Sequence, residues 1–146
     1  MLKPLAVCLP LLLAACTGKS GESSAAADRA TDLTGCYAYV SDKDTVLLQI
    51  DSDSDSLTGR LTYHYYEKDR NTGTFAGQML GDTLLAFYRF QSEGTSSVRQ
   101  VAFLRTDSSF VEGYGDVVEN GGRMVFSNRR NVQFQPGVRL TKTTCP

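Results

Sequence analysis

The sequence predicts an all-β domain: a small antiparallel up-and-down β-barrel of about eight to ten strands, following a cleaved leader and a disordered tether. Three observations predict it. From Gly35 onward, short runs alternate apolar and polar residues and are separated by turn signals roughly every ten residues. No stretch past Gly35 carries a helical apolar period with caps. Seven Tyr and seven Phe without any Trp, together with abundant Thr, Val and Gly, favour strands. Turns this short leave little room for Greek-key crossovers, and closing the meander on itself removes its exposed edges. A twisted, half-open sandwich is the alternative arrangement.

The chain opens with Lys3, then an apolar run from Leu5, then Leu13-Ala14-Ala15-Cys16. A charged start, an apolar middle and small residues before the cut make a secretory leader. A spanning helix needs roughly 20 apolar residues. This run has about 11 and is interrupted by Pro10. Leu13 to Cys16 resembles the lipobox of bacterial lipoproteins. The resemblance implies cleavage before Cys16, lipidation of Cys16 by acyl chains of the palmitate kind, and a firm membrane anchor, since two or more chains hold stably where one does not. Thr17 stands where the family's inner-membrane retention signal has aspartate, so the resemblance implies an envelope protein of the outer membrane. An ordinary cleaved leader with a chance cysteine is the alternative.

The expected organisation is a signal segment 1–15, a lipidated cysteine with its tether 16–34, and a barrel domain 35–146. The tether, with Gly18, Ser20, Gly21, Ser23, Ser24 and Ala25 to Ala27, has no useful period and too little apolar surface to order itself. Removing Lys3 with the leader takes the net charge from −1 to −2. Nothing there suggests nucleic acid or a polybasic membrane patch. Of four cysteines, Cys8 leaves with the leader and Cys16 carries lipid. Cys36 and Cys145 bracket the domain in an oxidising setting, so a Cys36–Cys145 disulfide is expected, with two buried thiols as the alternative. The bond would set the first and last strands side by side, as closure requires.

The predicted strands follow in order. Residues 36–40 and 45–51 flank Asp42-Lys43-Asp44, and residues 57–67 follow the polar turn after Asp51. Gly81-Asp82 is a two-residue hairpin signal joining 72–80 to 83–91. Residues 97–106 and 109–119 flank Asp107-Ser108. Asn120-Gly121 is a type I′ signal before 123–128, and 132–134 and 138–142 flank Pro136-Gly137.

Register then predicts which side chains converge. A four-residue turn at Ser52–Asp55 would oppose Ile50 to Leu57 and Val46 to Leu61. Across Gly81-Asp82, Met79 opposes Leu84 and Phe75 opposes Tyr88. A four-residue turn at Glu93–Ser96 would oppose Phe90 to Arg99. Across Asp107-Ser108, Phe103 opposes Glu112 and Val101 opposes Tyr114. Arg99, Glu112 and Tyr114 thereby share the inner face with Tyr88 and Phe90. These five are the candidate ligand-binding residues. A buried charge without a partner is very costly, so Arg99 and Glu112 must pair with each other or meet a ligand. The alternatives are a structural ion pair, or a register slip that turns both outward. Carried past Asn120-Gly121, the same register turns Val125 inward and Met124 and Phe126 outward, a conflict that a bulge at Gly113, Gly115 or Gly121 would repair.

Catalytic chemistry has little to work with, and the expectation is a protein that is not an enzyme. The one histidine, His64, shares a strand face with Thr62 and Tyr66 and reads as a surface residue. Glu93 and Glu112 are not positioned as a glycosidase pair. Asp51-Ser52-Asp53-Ser54-Asp55-Ser56 begins like a calcium loop but has Ser56 and Thr62 where that loop needs Gly and Glu. It reads as a solvated turn. No cofactor and no metal site are expected.

The run from Gly81 to Tyr88, with Ser92-Glu93-Gly94, Ser97 to Val101 and Glu112-Gly113-Tyr114-Gly115, resembles a group of small bacterial lipoproteins of uncharacterised function, over most of Gly35 to Cys145. The layout is also similar to that of the lipocalin-like barrels, although Gly35-Cys36-Tyr37 lacks the Trp of the lipocalin signature. Barrels of about eight strands hold side chains or one small ligand. The first expectation is therefore a lipid-anchored barrel binding a small hydrophobic or amphipathic ligand in a mouth lined by tyrosines (Tyr37, Tyr39, Tyr63 and Tyr65 among them), with Arg99 answering an acidic head group. The second is a filled, non-catalytic barrel that meets an envelope protein partner through an outer face of Leu85, Phe87, Arg89, Tyr66 and Arg60.

Overall fold

The computed structural model of the chain describes residues 32–68 and 70–146. The signal segment 1–15, the lipidation site Cys16 and the tether as far as residue 31 lie outside the described residues.

Ten strands form one sheet: β1 (Gly35–Val40), β2 (Thr45–Asp53), β3 (Leu57–His64), β4 (Asn71–Leu80), β5 (Thr83–Ser92), β6 (Thr95–Thr106), β7 (Ser109–Gly113), β8 (Val117–Glu119), β9 (Met124–Phe126) and β10 (Arg139–Thr143). β1 to β7 pair in sequence order, and β10 closes the ring by pairing with both β7 and β1. The result is a closed antiparallel barrel of eight strands with two extra strands outside it. Closure falls where the cysteine spacing places it. Cys36 is opposite Thr143, and Cys36 and Cys145 form a disulfide across a sequence separation of 109.

The domain starts earlier than residue 35. Leu33 is buried over the end of the barrel at which β1 begins. Its N–H donates to Asp53 Oδ2 at 2.7 Å, and its carbonyl accepts from the Tyr37 hydroxyl at 3.0 Å. One apolar side chain with two hydrogen bonds is enough to recruit the last residues of the expected tether into the fold. This end also holds the disulfide and the β2–β3, β4–β5 and β6–β7 turns. It is filled by Leu33, Ile50, Leu57, Leu84, Phe103 and Phe110.

Face assignment follows the alternation, while some turn lengths differ from expectation. Met79 is opposite Leu84 and Phe75 opposite Tyr88, as the Gly81-Asp82 hairpin requires. Between β2 and β3 the turn is at Ser54–Ser56 rather than Ser52–Asp55, and together with a one-residue bulge after Ile50 it shifts the pairing by a net two residues. Val46 faces Tyr63 and Leu48 faces Leu61, instead of Val46 facing Leu61. The β5–β6 turn has two residues rather than four, with Glu93 and Gly94 both at positive φ, so Arg99 faces Tyr88 and Phe90 faces Ser97. Both shifts are even, and an even shift keeps every side chain on its face.

The conflict past Asn120 has a different resolution from a bulge. β7 ends at Gly113, and the chain leaves the barrel wall there. Residues 114–138 form an excursion over the outer surface of β6 and β7, with a 3-10 turn at Arg129–Asn131, before β10 resumes the wall. The β8–β9 hairpin turns at Gly121-Gly122, both at positive φ, one residue later than the Asn120-Gly121 signal implies. Val132 and Phe134 do not form a strand; they pack outside against Gly113, where a Cβ would collide with both side chains. Phe126 is buried on the same outer side, and its N–H donates to Gln100 Oε1 at 3.1 Å.

Two inward glycines set the curvature of the wall. A Cβ at Gly59 would overlap the Gln49 carbonyl, and a Cβ at Gly73 would overlap the Arg89 carbonyl. The strands bend closely around each other only because these positions carry no side chain.

Candidate site at the barrel mouth

The other end of the barrel, bounded by the β1–β2, β3–β4 and β5–β6 turns, is lined differently. Period-two spacing puts Tyr63 and Tyr65 on the inner face at the end of β3, and Tyr88 and Phe90 on the inner face of β5. The rings contact one another. Tyr88 and Phe90 stack with centroids 4.9 Å apart, and Tyr63 meets Tyr88 edge-on at 5.8 Å.

Arg99 rises from β6 into this aromatic layer. Its guanidinium lies 5.0 Å from the Tyr63 ring centroid, 5.3 Å from that of Phe90 and 5.6 Å from that of Tyr88. Such contacts are worth about 0.5–2 kcal/mol each as water is excluded. Arg99 forms no ion pair among the described residues, and its buried Nε–H has no hydrogen-bond partner. The buried Tyr88 hydroxyl is likewise unpartnered.

Glu112, on β7, is 4% exposed and faces inward opposite Phe103. It does not pair with Arg99. The Tyr63 hydroxyl donates to Glu112 Oε1 at 2.5 Å and the Tyr114 hydroxyl to Oε2 at 2.9 Å. Burial raises the Glu112 carboxyl above the ordinary carboxylate range. The two tyrosine hydrogen bonds and the Arg99 charge work against that rise without cancelling it. Burial, with the nearby Glu112 charge, pushes the Tyr63 and Tyr114 hydroxyls up. Burial pushes Tyr88 up to about 12, partly opposed by Arg99.

The expected Val101–Tyr114 pairing does not form, because β7 stops one residue short of it. Tyr114 bridges Gln133 instead and is 47% exposed, yet its hydroxyl still reaches back to Glu112. Beyond Gly113 the edge of β6 meets β9 at one parallel backbone bridge, Arg99 to Met124, and through the Gln100 side chain on the Phe126 N–H. This fork opens a cavity of about 430 Å³, lined inside by Phe90, Arg99, Val101 and Glu112 and outside by Val117, Met124 and Phe126. That volume lies within the range of small-molecule sites.

Four of the five candidate ligand-binding residues (Arg99, Glu112, Tyr114 and Phe90) therefore line one cavity. Tyr88 does not: it is fully buried behind Phe90 and supports Arg99 from below. The fork residues Val117, Met124 and Phe126 were invisible as site residues, since nothing in their alternation says that β7 ends at Gly113. His64 is exposed at the end of β3. Asp51 and Asp53 belong to β2 and accept hydrogen bonds from Gln49 and from Leu33. Among the described residues no three metal-ligating side chains gather. The chain matches no protein-family model, and comparisons with curated proteins and with solved structures return no match.

Proposed function

We propose that this chain is a lipid-anchored protein of the bacterial envelope, in the outer membrane, that binds a small amphipathic acid at the mouth of its barrel without catalysing a reaction. The observation that carries the binding reading is Arg99: a cation held on three aromatic faces, at the wall of a cavity, with no carboxylate partner among the described residues. Glu112 would be the obvious partner, but two tyrosines occupy it instead. A half-buried guanidinium with its Nε–H unpartnered favours an anionic group, with which it makes strong charge-assisted hydrogen bonds. The envelope reading rests on Lys3, the apolar run and Leu13 to Cys16. The Cys36–Cys145 disulfide suits an oxidising compartment.

The test is native mass spectrometry of the protein drawn from its own envelope, with thermal shifts on adding fatty acids. A retained acidic amphiphile, lost in Arg99→Gln, supports the proposal. No retained ligand and no stabilisation by any hydrophobic acid overturns it. A filled barrel with a working outer face is the second reading. The dense packing of Leu48, Leu61, Leu84 and Phe103 in the lower interior favours it, and intact-cell crosslinking that captures an envelope partner through Leu85 or Phe87 would support it.

A further inference from the structure

We infer that the ligand enters head first: its anionic group sits inside the barrel wall at Arg99, and its apolar tail leaves sideways through the fork between the end of β7 and the β8–β9 hairpin. This rests on the proposed role of Arg99 and adds an orientation, an exit and a ligand class, a single-chain amphiphile with one anionic head.

Three observations carry it. First, the charged groups of the cavity are on its inner side, and the outward-facing Gln100 has its Oε1 taken by the Phe126 N–H. Arg99 and Glu112 belong to the inner face of the wall, and the outer side is made by Val117, Met124 and Phe126. Second, no room lies beneath the head. Leu48, Leu61, Leu84 and Phe103 are fully buried, and none of them borders the cavity, which stops above them. A tail directed down the barrel axis would have to displace close-packed side chains. Third, the fork exposes apolar surface that the fold does not use. Val117 is 45% and Met124 39% exposed, beside Tyr114. This surface arises because β7 stops at Gly113, leaving β6 joined to β9 only by the Arg99–Met124 bridge and the Gln100–Phe126 hydrogen bond. An acyl tail lying there would cover it while its head meets the cation.

The ligand's charge must also fit its neighbour. Glu112 would repel an anion if ionised, but its raised carboxyl and its two tyrosine donors blunt that repulsion. Arg99 is thus left as the dominant charge that an entering head group meets.

The test uses the full chain carrying Cys16→Ser, so that no acyl group is added at that position. Titration calorimetry compares butanoate, octanoate and dodecanoate, and dodecanoate bearing a terminal diazirine is photolysed on the protein and its adducts mapped by mass spectrometry. Expected are an affinity gain of roughly fourfold for each methylene that becomes covered, adducts at Val117, Met124 or Phe126, and a smaller chain-length gain in Met124→Ser, which trims the apolar side chain without adding a charge beside Arg99. Adducts at Leu48, Leu61 or Phe103, or an unchanged chain-length gain in Met124→Ser, overturn the orientation while leaving an acid-binding barrel. Absence of binding by all three acids, or equal binding in Arg99→Gln, overturns the acid-binding reading itself and this inference with it.

Discussion

Arg99 and Glu112 share the inner face of the same barrel mouth and do not pair. Glu112 is bound by the hydroxyls of Tyr63 and Tyr114, while Arg99 lies on the rings of Tyr63, Tyr88 and Phe90. Tyr63 serves both, with its hydroxyl turned to the acid and its ring face to the cation. Each charge is thereby stabilised without cancelling the other. The consequence is a cation that remains available.

That availability costs stability. Replacing Arg99 with Met keeps the packing against the three rings and removes a half-buried charge with an unpartnered Nε–H. Arg99→Met should therefore unfold in denaturant within about 1 kcal/mol of the natural protein, or above it. Its affinity for dodecanoate should fall roughly 10- to 100-fold. Equilibrium denaturation and calorimetry on the same preparation check both halves.

The raised Glu112 carboxyl gives a signed pH dependence. In the unfolded chain the group ionises in the ordinary carboxylate range. In the native barrel it holds its proton to higher pH. Its contribution is therefore fully present below the unfolded value and is lost as pH rises through the native one, at up to about 1.4 kcal/mol per pH unit. Glu112→Gln should gain on the natural protein, in melting temperature, between pH 4.5 and neutrality. A difference that stays constant over that interval would refute this.

Reduction of Cys36–Cys145 opens a loop spanning a sequence separation of 109. In the chain-entropy picture it should cost on the order of 4–5 kcal/mol. The double variant Cys36→Ala, Cys145→Ala should show the same lowered denaturation midpoint with or without reductant, and the natural protein should reach it only when reduced.

Gly73→Ala pushes a methyl group into the Arg89 carbonyl between β4 and β5. A loss of about 1–3 kcal/mol or more is expected. Ala76, on the same strand with an exposed outward side chain, gives the comparison: Ala76→Ser should change stability by less than about 0.5 kcal/mol.

Cys16→Ser should abolish metabolic labelling by a fatty-acid analogue and move the protein from the membrane to the soluble fraction of the envelope. Labelling that survives the substitution would remove the lipobox reading.

The barrel was legible in the sequence because alternation is a local signal and even register errors cancel. Ile50, Val46, Tyr88 and Arg99 face inward with the expected pairing and with the observed one, because the two differ by an even number. The disulfide was legible for a related reason, since two cysteines bracketing a closed meander must lie close together. The site was legible as far as Arg99, Glu112, Tyr114 and Phe90. What stayed hidden was long-range. The end of β7 at Gly113 is decided by Val132 and Phe134, some twenty residues on, which cover Gly113 from outside. Leu33 was hidden in the same way, because its two hydrogen bonds come from Asp53 and Tyr37 rather than from its own segment.

The bond between Cys36 and Cys145 also makes the beginning and end of the barrel interchangeable. With their Cα atoms 5.1 Å apart, Cys36 on β1 and Cys145 just past the end of its partner β10, the domain is already a covalent ring, and no strand in it is first except by the accident of translation. A gene could start the chain elsewhere. The tip at Gly121-Gly122 stands outside the eight-stranded wall with open space around both residues. A permuted chain opened there, its old ends joined by a short linker, would keep every pairing of the wall, and the excursion would become two terminal arms, one of them still packed on β6 and β7 through Phe126, Val132 and Phe134.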